Sequence, residues 1–195
     1  MTTRHQDLTR ATRETRISIG IDLDTPSDPD ITTGVGFLDH MLSSFALHAR
    51  LGLRLSCEGD LHIDDHHSAE DSAIALGSAI DGALGDRAGI ERFGDSLVPM
   101  DEALCRCAVD LSGRPHATVS LGLTRDALGG LACENIEHFF QSLAVASRST
   151  LHIDVLRGSN DHHRAEAAFK AFAVAFRRAI APSGVSGVPS AKGVL

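Results

Sequence analysis

The chain has 195 residues, 43% of them hydrophobic, and a formal charge of -8. That length fits one compact domain or two small, closely packed halves, and the acidic balance argues against nucleic acid as the main partner while leaving room for a local basic pocket. No apolar run is long enough to span a bilayer, so no membrane partner is expected.

Eight Phe and no Trp or Tyr mean that aliphatic packing has to supply most of the core. Cys57, Cys105, Cys107 and Cys133 sit singly or as Cys-x-Cys among apolar or small residues, which reads as reduced thiols. No secretory apolar region follows Met1. A cytoplasmic location is the expectation.

In chain order, Thr15 to Leu23 alternates Ile17, Ile19, Ile21 and Leu23 with smaller or polar residues, a strand pattern. Pro26 to Asp30 reads as a turn. Phe37 to Ala49 carries apolar residues at helical spacing, and Leu51 to Cys57 alternates again. His66 to Leu84, rich in Ala and Ile, reads as a helix. Strands are expected at Ala103–Leu111 and Ala117–Leu123, separated by Ser112-Gly113-Arg114-Pro115. Glu134 to Arg148 then looks helical, Thr150 to Leu156 alternates, and Asp161 to Ile180 reads as a long helix. The tail from Pro182 has three Gly, two Pro and three Ser and forms no regular element. Its Pro189-Ser190-Ala191-Lys192-Gly193 admits two readings: a disordered terminus, or a segment whose hydroxyl, ammonium and backbone amides wrap an anion.

Helix, strand, loop and His-rich helix thus occur twice. Asp65-His66-His67-Ser68-Ala69-Glu70 and Asp161-His162-His163-Arg164-Ala165-Glu166 lie 96 residues apart. His40 precedes the first cluster by 26 residues and His138 the second by 24. An internal duplication accounts for this pattern, with halves expected at 1–90 and 91–195 in one compact unit. The Leu-His-Ile-Asp repeated at 61–64 and 151–154 would demand compensating gaps, so His62 and His152 are read as non-ligands.

On a helix the i, i+4 pairs His66/Glu70 and His162/Glu166 each stack an imidazole and a carboxylate on one face, while His67 and His163 are turned away. His40, His66, His67, Glu70, His138, His162, His163 and Glu166 suffice for two ions with four protein ligands each. Imidazole with carboxylate and no thiolate suits Mn²⁺, Fe²⁺ or Zn²⁺. Drawing on both repeats, one ion is expected on His40, His67, His162 and Glu166, and the other on His66, Glu70, His138 and His163. Taken alone, Glu14, Arg92 and Arg114 read as surface charges, although both arginines neighbour turn residues suited to anion contact. Asp101 reads as a turn cap. The ligands alone leave open a metal-organised scaffold or a metal-dependent hydrolase.

A resemblance narrows this. Phe37-Leu38-Asp39-His40-Met41-Leu42, Asp64-Asp65-His66-His67 through Glu70-Asp71, Arg92-Phe93-Gly94, Asp110-Leu111-Ser112-Gly113-Arg114-Pro115, Glu137-His138-Phe139-Phe140, Asn160-Asp161-His162-His163 through Glu166, Phe169-Lys170-Ala171, and Pro189-Ser190 with Lys192-Gly193-Val194-Leu195 occur in that order. From about Thr12 to Leu195 the chain resembles the imidazoleglycerol-phosphate dehydratases, departing at Ser68 and Ala191, where Thr is usual. The resemblance implies the monofunctional form and an α/β (α+β) fold of two similar half-domains, each a small sheet packed with helices, ribosomal-protein-S5-domain-2-like. It implies a lyase dehydrating D-erythro-imidazole glycerol phosphate to imidazole acetol phosphate in histidine biosynthesis, through a metal-bound imidazolate and a diazafulvene. Two Mn²⁺ per active site and a homo-oligomer of 24 subunits built of trimers are implied as well. By the same resemblance Glu14 is the catalytic acid/base, and Arg92, Arg114, Ser190 and Lys192 hold the phosphate. Further substrate contacts are expected at Glu14, His40, His66, His67, Glu70, His162 and Lys170.

Overall fold

A computed structural model describes residues 4–195. Strands β1 (His5–Ala11), β2 (Thr15–Asp22), β3 (Asp30–Thr32) and β4 (Gly52–Gly59) form one sheet in the order β1-β2-β4-β3, with α1 (Gly36–Ala49) and α2 (His66–Leu84) before and after β4. The second half repeats the plan. Strands β5 (Phe93–Met100), β6 (Ala103–Asp110), β7 (His116–Ser120) and β10 (Thr150–Arg157) pair as β5-β6-β10-β7, with α3 (Cys133–Ala146) and α4 (Asp161–Ala179) flanking β10. In each sheet the first three strands in that order are antiparallel and the short outer strand runs parallel to its neighbour. The one departure is a two-residue hairpin pair, β8 (Ala127–Leu128) and β9 (Leu131–Ala132), inserted before α3.

Alternation explains why each sheet takes helices on one face only. Ile17, Ile19 and Ile21 of β2 are buried while Arg16 and Ser18 face out, and Cys105, Cys107 and Val109 of β6 are buried while Arg106 and Ala108 face out. The four helices fill the space between the sheets, α1 against α4 and α2 against α3. Helices pressed on two sides need small residues, and α2 buries Ala69, Ala73, Ala75 and Ala79, α4 Ala165, Ala168, Ala171 and Ala175. Six Phe close the seam between α1, α3 and α4, with Phe45 stacked on Phe172 at 5.1 Å and Phe140 against Phe169 at 4.6 Å. The aromatics are few but concentrated, so the inter-helix core is less purely aliphatic than composition implies. All four cysteines are free and buried, and burial pushes the Cys105 thiol up to about 12. No helix among the described residues is long and apolar enough to cross a membrane.

The sequence pattern locates all four helices and five of the strands (β2, β4, β6, β7 and β10), and misses others. β1 has a half-exposed edge pattern without an apolar stripe, β3 is three residues long, and β5 contains Pro99, tolerated because β5 is an edge strand. The strand expected over Ala117–Leu123 stops at Ser120, and the Leu121 N–H instead donates to Glu137 at 2.9 Å. His62 lies in a turn and His152 on β10, so the repeated tetrapeptide is not structurally equivalent.

Candidate active site

Duplicated topology brings the N-terminus of each His-rich helix beside the first helix of the other half, α2 beside α3 and α4 beside α1. Asn160 caps α4 by accepting the His162 N–H at 2.9 Å, and Asp64 accepts the His66 N–H at 2.9 Å at the start of α2. Those starts set the phase of the i, i+4 pairs.

Two groups result. On α1 and α4, His40 Nε2 and His162 Nε2 lie 3.8 and 3.2 Å from Glu166 Oε2. On α2 and α3, His66 Nε2 is 3.6 Å from Glu70 Oε2 and His138 Nε2 is 3.1 Å from Glu70 Oε1, with the two rings stacked at 5.1 Å. Within each group the candidate ligand atoms all lie within 4.8 Å of one another. His138 Nε2 is near Glu70, yet it is buried without a hydrogen bond of proper geometry. An orphaned nitrogen aimed at a carboxylate and a second imidazole is a donor set that fits a divalent ion. Behind it, His66 Nδ1 meets Asn135 Oδ1 at 2.8 Å, and Asn135 Nδ2 donates to Asp65 at 3.0 Å. That relay presents Nε2 to the group.

Each expected set of four therefore supplies three neighbours within the chain and not the fourth. The reason is helical geometry: consecutive residues point about 100° apart at ~3.6 residues per turn, so His67 and His163 face elsewhere. His67 Nδ1 is 3.1 Å from both oxygens of Asp60, and Nε2 is 3.8 Å from Glu14. His163 Nδ1 is 2.6 Å from Glu102, and Nε2 is 3.7 Å from Asp101. Donation from His67 to Asp60 and from His163 to Glu102 raises both imidazoles above their ordinary range. Glu14 and Asp101 sit at the tips of the β1-β2 and β5-β6 hairpins, so the duplication makes them counterparts. Asp101 is thus a hairpin-tip carboxylate beside a histidine as well as a turn residue, φ 49°.

The basic residues gather at a different place. Arg92 grips Asp110 through Nε at 2.7 Å and Nη2 at 3.2 Å, and donates from Nη1 to the Pro189 carbonyl at 2.9 Å. Arg114 is largely exposed, 3.9 Å from Asp110. A β-carbon on Gly113 would stand 2.6 Å from the Leu195 backbone, so glycine lets the tail pass close. The tail turns at Ser190, whose Oγ accepts the Lys192 N–H at 3.2 Å. It is packed by these contacts, which local composition alone leaves undecided. The backbone N–H of Arg92 bonds Ala179, at the far end of α4 from His162. At a rise of ~1.5 Å per residue that is roughly 25 Å along the helix. Lys170 lies apart from the tail, 2.7 Å from Glu166 Oε1. A cleft of about 780 Å³ lined by Arg4, Asp24, Gly85 and Pro182 contains none of the candidate residues.

Sequence reasoning missed Asp60, Glu102, Asn135 and Asp110. Asp110 stands in one of the motifs above, but its grip on Arg92, like the bond of Asn135 to His66, arises only through the fold. Glu102, next to Asp101, was findable by extending the duplication to the hairpin that carries Glu14.

Residues 33–176 match the family model of imidazoleglycerol-phosphate dehydratase. The chain belongs to that family. Its members are lyases of histidine biosynthesis. The matched stretch holds all eight candidate metal ligands with Arg92, Arg114 and Lys170, whereas Glu14, Ser190 and Lys192 lie outside it. The imidazoleglycerol-phosphate dehydratase of Phytophthora nicotianae is 55% identical over 192 residues, covering 98% of this chain, which spans only 42% of that longer protein. The Chlorobium luteolum enzyme is 53% identical over 192 residues, covering 98% of this chain and 96% of its own. The crystal structure of the Staphylococcus aureus dehydratase superimposes with a TM-score of 0.83 at 37% identity, covering 92% of this chain and 99% of that one.

Proposed function

We propose that this dehydratase converts D-erythro-imidazole glycerol phosphate to imidazole acetol phosphate, with two divalent ions, Mn²⁺ expected, held by the eight His and Glu residues. The observation that carries the reading is the pair of His-His-Glu groups, one with an unpartnered buried His138 nitrogen, together with two outward histidines whose Nδ1 atoms are already taken by carboxylates. Carboxylate-backed imidazoles with a free Nε2 are the usual form of a metal-ligating histidine.

Dehydration removes a hydroxyl from the carbon next to the substrate ring and a proton from the following carbon, leaving an enol that becomes the ketone. Ions in these groups would act as Lewis acids on the substrate's imidazole, the chemistry that lets the ring expel the hydroxyl through a diazafulvene. Glu14 is half-exposed at a hairpin tip beside His67 Nε2, the position for a general acid/base that protonates the departing hydroxyl or takes the carbon-bound proton. Arg92, Arg114, Ser190 and Lys192 hold the phosphate.

A small substrate does not bridge the roughly 25 Å between the two regions of one chain, and His67 and His163 point away from both His-His-Glu groups. Both facts support a site completed by neighbouring copies, in a homo-oligomer proposed to be trimers assembled into 24 subunits, in the cytoplasm. The test is turnover of imidazole glycerol phosphate by metal-free and Mn²⁺-loaded protein. Dehydration that appears with Mn²⁺ and releases no inorganic phosphate supports the reading, and a metal-free enzyme of equal rate overturns it.

A further inference from the structure

The two metal groups repeat in sequence but not in charge. Glu166 Oε1 is engaged by Lys170 Nζ at 2.7 Å, one helical turn on, and Lys170 is itself held against Met100 Sδ at 3.4 Å. The corresponding position after Glu70 is Ile74, and apart from His66 and His138 no basic side chain among the described residues pairs with Glu70. The helix starts differ in the same sense. Asp161 has Arg164 3.5 Å away, whereas Asp65 is met by the Asn135 amide and the Ala132 N–H, with Ser68 at the place of Arg164. The outward histidines do not offset this, because His67 and His163 each carry one backing carboxylate and one hairpin-tip carboxylate.

We infer that the two ions bind unequally, with the group of His66, Glu70 and His138 filling first and the group of His40, His162 and Glu166 second, and that Lys170 sets the difference. This rests on the metal reading above. Glu166 is nearly buried, and Lys170 consumes one of its oxygens, so it presents a single oxygen to an ion while an ammonium sits behind it. Glu70 is a third exposed and turns both oxygens towards its histidines. A fixed positive charge within a few ångströms of a divalent ion, in a partly buried setting, weakens binding by about tenfold or more. The second ion is then the more electron-poor of the two, having a donor carboxylate already shared with a cation.

The experiment is calorimetric titration of metal-free enzyme with Mn²⁺, with the paramagnetic resonance of free Mn²⁺ followed in parallel. Wild type is expected to take up two ions per chain in two phases separated by about tenfold or more in dissociation constant. Glu70→Gln should delete the tighter phase and Glu166→Gln the weaker one. Lys170→Met should merge the phases by strengthening the second, and Lys170→Arg should keep them apart. Ile74→Lys, which leaves the Lys170 site untouched, should merge them from the other direction. Two ions bound in one phase by wild type overturn the inequality, and a separation unchanged in both Lys170→Met and Ile74→Lys overturns the role of Lys170, in either case leaving the metal reading standing. Protein that takes up no Mn²⁺ overturns the metal reading itself.

Discussion

Glu102 Oε2 stands 2.6 Å from Nδ1 of His163, across the tip of the β5-β6 hairpin. The Glu102 oxygens also accept the backbone N–H groups of Ser159 and Asn160, at 3.0 and 2.8 Å. One carboxylate thereby ties a hairpin, the approach to α4 and an outward imidazole into a single unit, and leaves Nε2 as the only free ring nitrogen. The His163 hydrogen bond, followed by those backbone donors, holds the Glu102 carboxyl far below the usual carboxylate range.

Removing that carboxylate should loosen the imidazole without removing it. Glu102→Ala is expected to weaken Mn²⁺ binding by roughly 10- to 100-fold, the usual cost of losing such a partner. Glu102→Gln keeps an acceptor oxygen and should lose less. Chelator competition measures both constants, and equal affinity in wild type and Glu102→Ala would remove Glu102 from any positioning role.

The raised imidazoles set a pH dependence. In metal-free protein, His67 paired with Asp60 and His163 paired with Glu102 hold their protons above the ordinary pH of ~6.5. Stability from these charged pairs is present below that ordinary value and lost as pH rises through the raised ones. Metal binding runs the other way, since Nε2 binds an ion only when the ring is neutral. Mn²⁺ affinity should therefore begin to fall on acidification while still above pH ~6.5. Dissociation constants measured from pH 8.5 downward check this, and a constant that stays flat to pH ~6 contradicts it.

Much of this arrangement is legible in the sequence because helices and ligands share one period. His66/Glu70 and His162/Glu166 announce both the helix face and the donor set, and the topology places them as the duplication requires. The hidden part depends on long-range packing. Asn135 reaches His66 from another helix, and Asp110 reaches Arg92 from the neighbouring strand. Edge strand β1 has inward residues that are only half-buried, and β5 buries Gly94 and Ser96 while Phe93 and Leu97 face out, so pattern alone does not show the hairpins that carry Glu14 and Asp101.

Assembly should respond to metal. Ions that bind only the folded, assembled state stabilise it by about 2.7 kcal/mol at a free concentration of 100 Kd. Removing metal with a chelator should therefore shrink the particle seen by sedimentation and lower the thermal midpoint, and Mn²⁺ should restore both. An unchanged particle with an unchanged midpoint argues against ligands shared between copies.

The α2–α3 contact is a close one on which to test the packing. A β-carbon on Gly77 would lie 2.7 Å from Ala146 Cβ and from the Leu143 carbonyl, and 2.9 Å from the Ser147 nitrogen. Gly77→Leu should push the two helices apart at a cost of about 1–3 kcal/mol or more. At this chain length each kcal/mol lowers the midpoint by about 2–4 °C. A melting curve of the metal-free variant matching wild type would show that the helices yield without cost.

The tail is expected to work on substrate and not on metal. Arg92 anchors it through the Pro189 carbonyl, and Gly113 gives passage to Leu195, so Ser190 and Lys192 lie on a segment held at both ends by the residues that neighbour Asp110 and Arg114. Lys192 makes no ion pair among the described residues, which leaves its ammonium available to an anion. A charge-assisted contact to phosphate is worth about 1.5–3 kcal/mol, so Lys192→Ala should raise KM by roughly ten- to a hundredfold. Bound metal should stay at the wild-type level, because the histidine groups lie at the other end of α4. Deleting residues 189–195 should have the same selective effect, more severely, since Arg92 loses its carbonyl partner as well as the tail's own donors. Steady-state kinetics beside elemental analysis separate the two quantities. Wild-type KM in the truncated enzyme, or a loss of metal that matches the loss of activity, would remove the tail from phosphate binding.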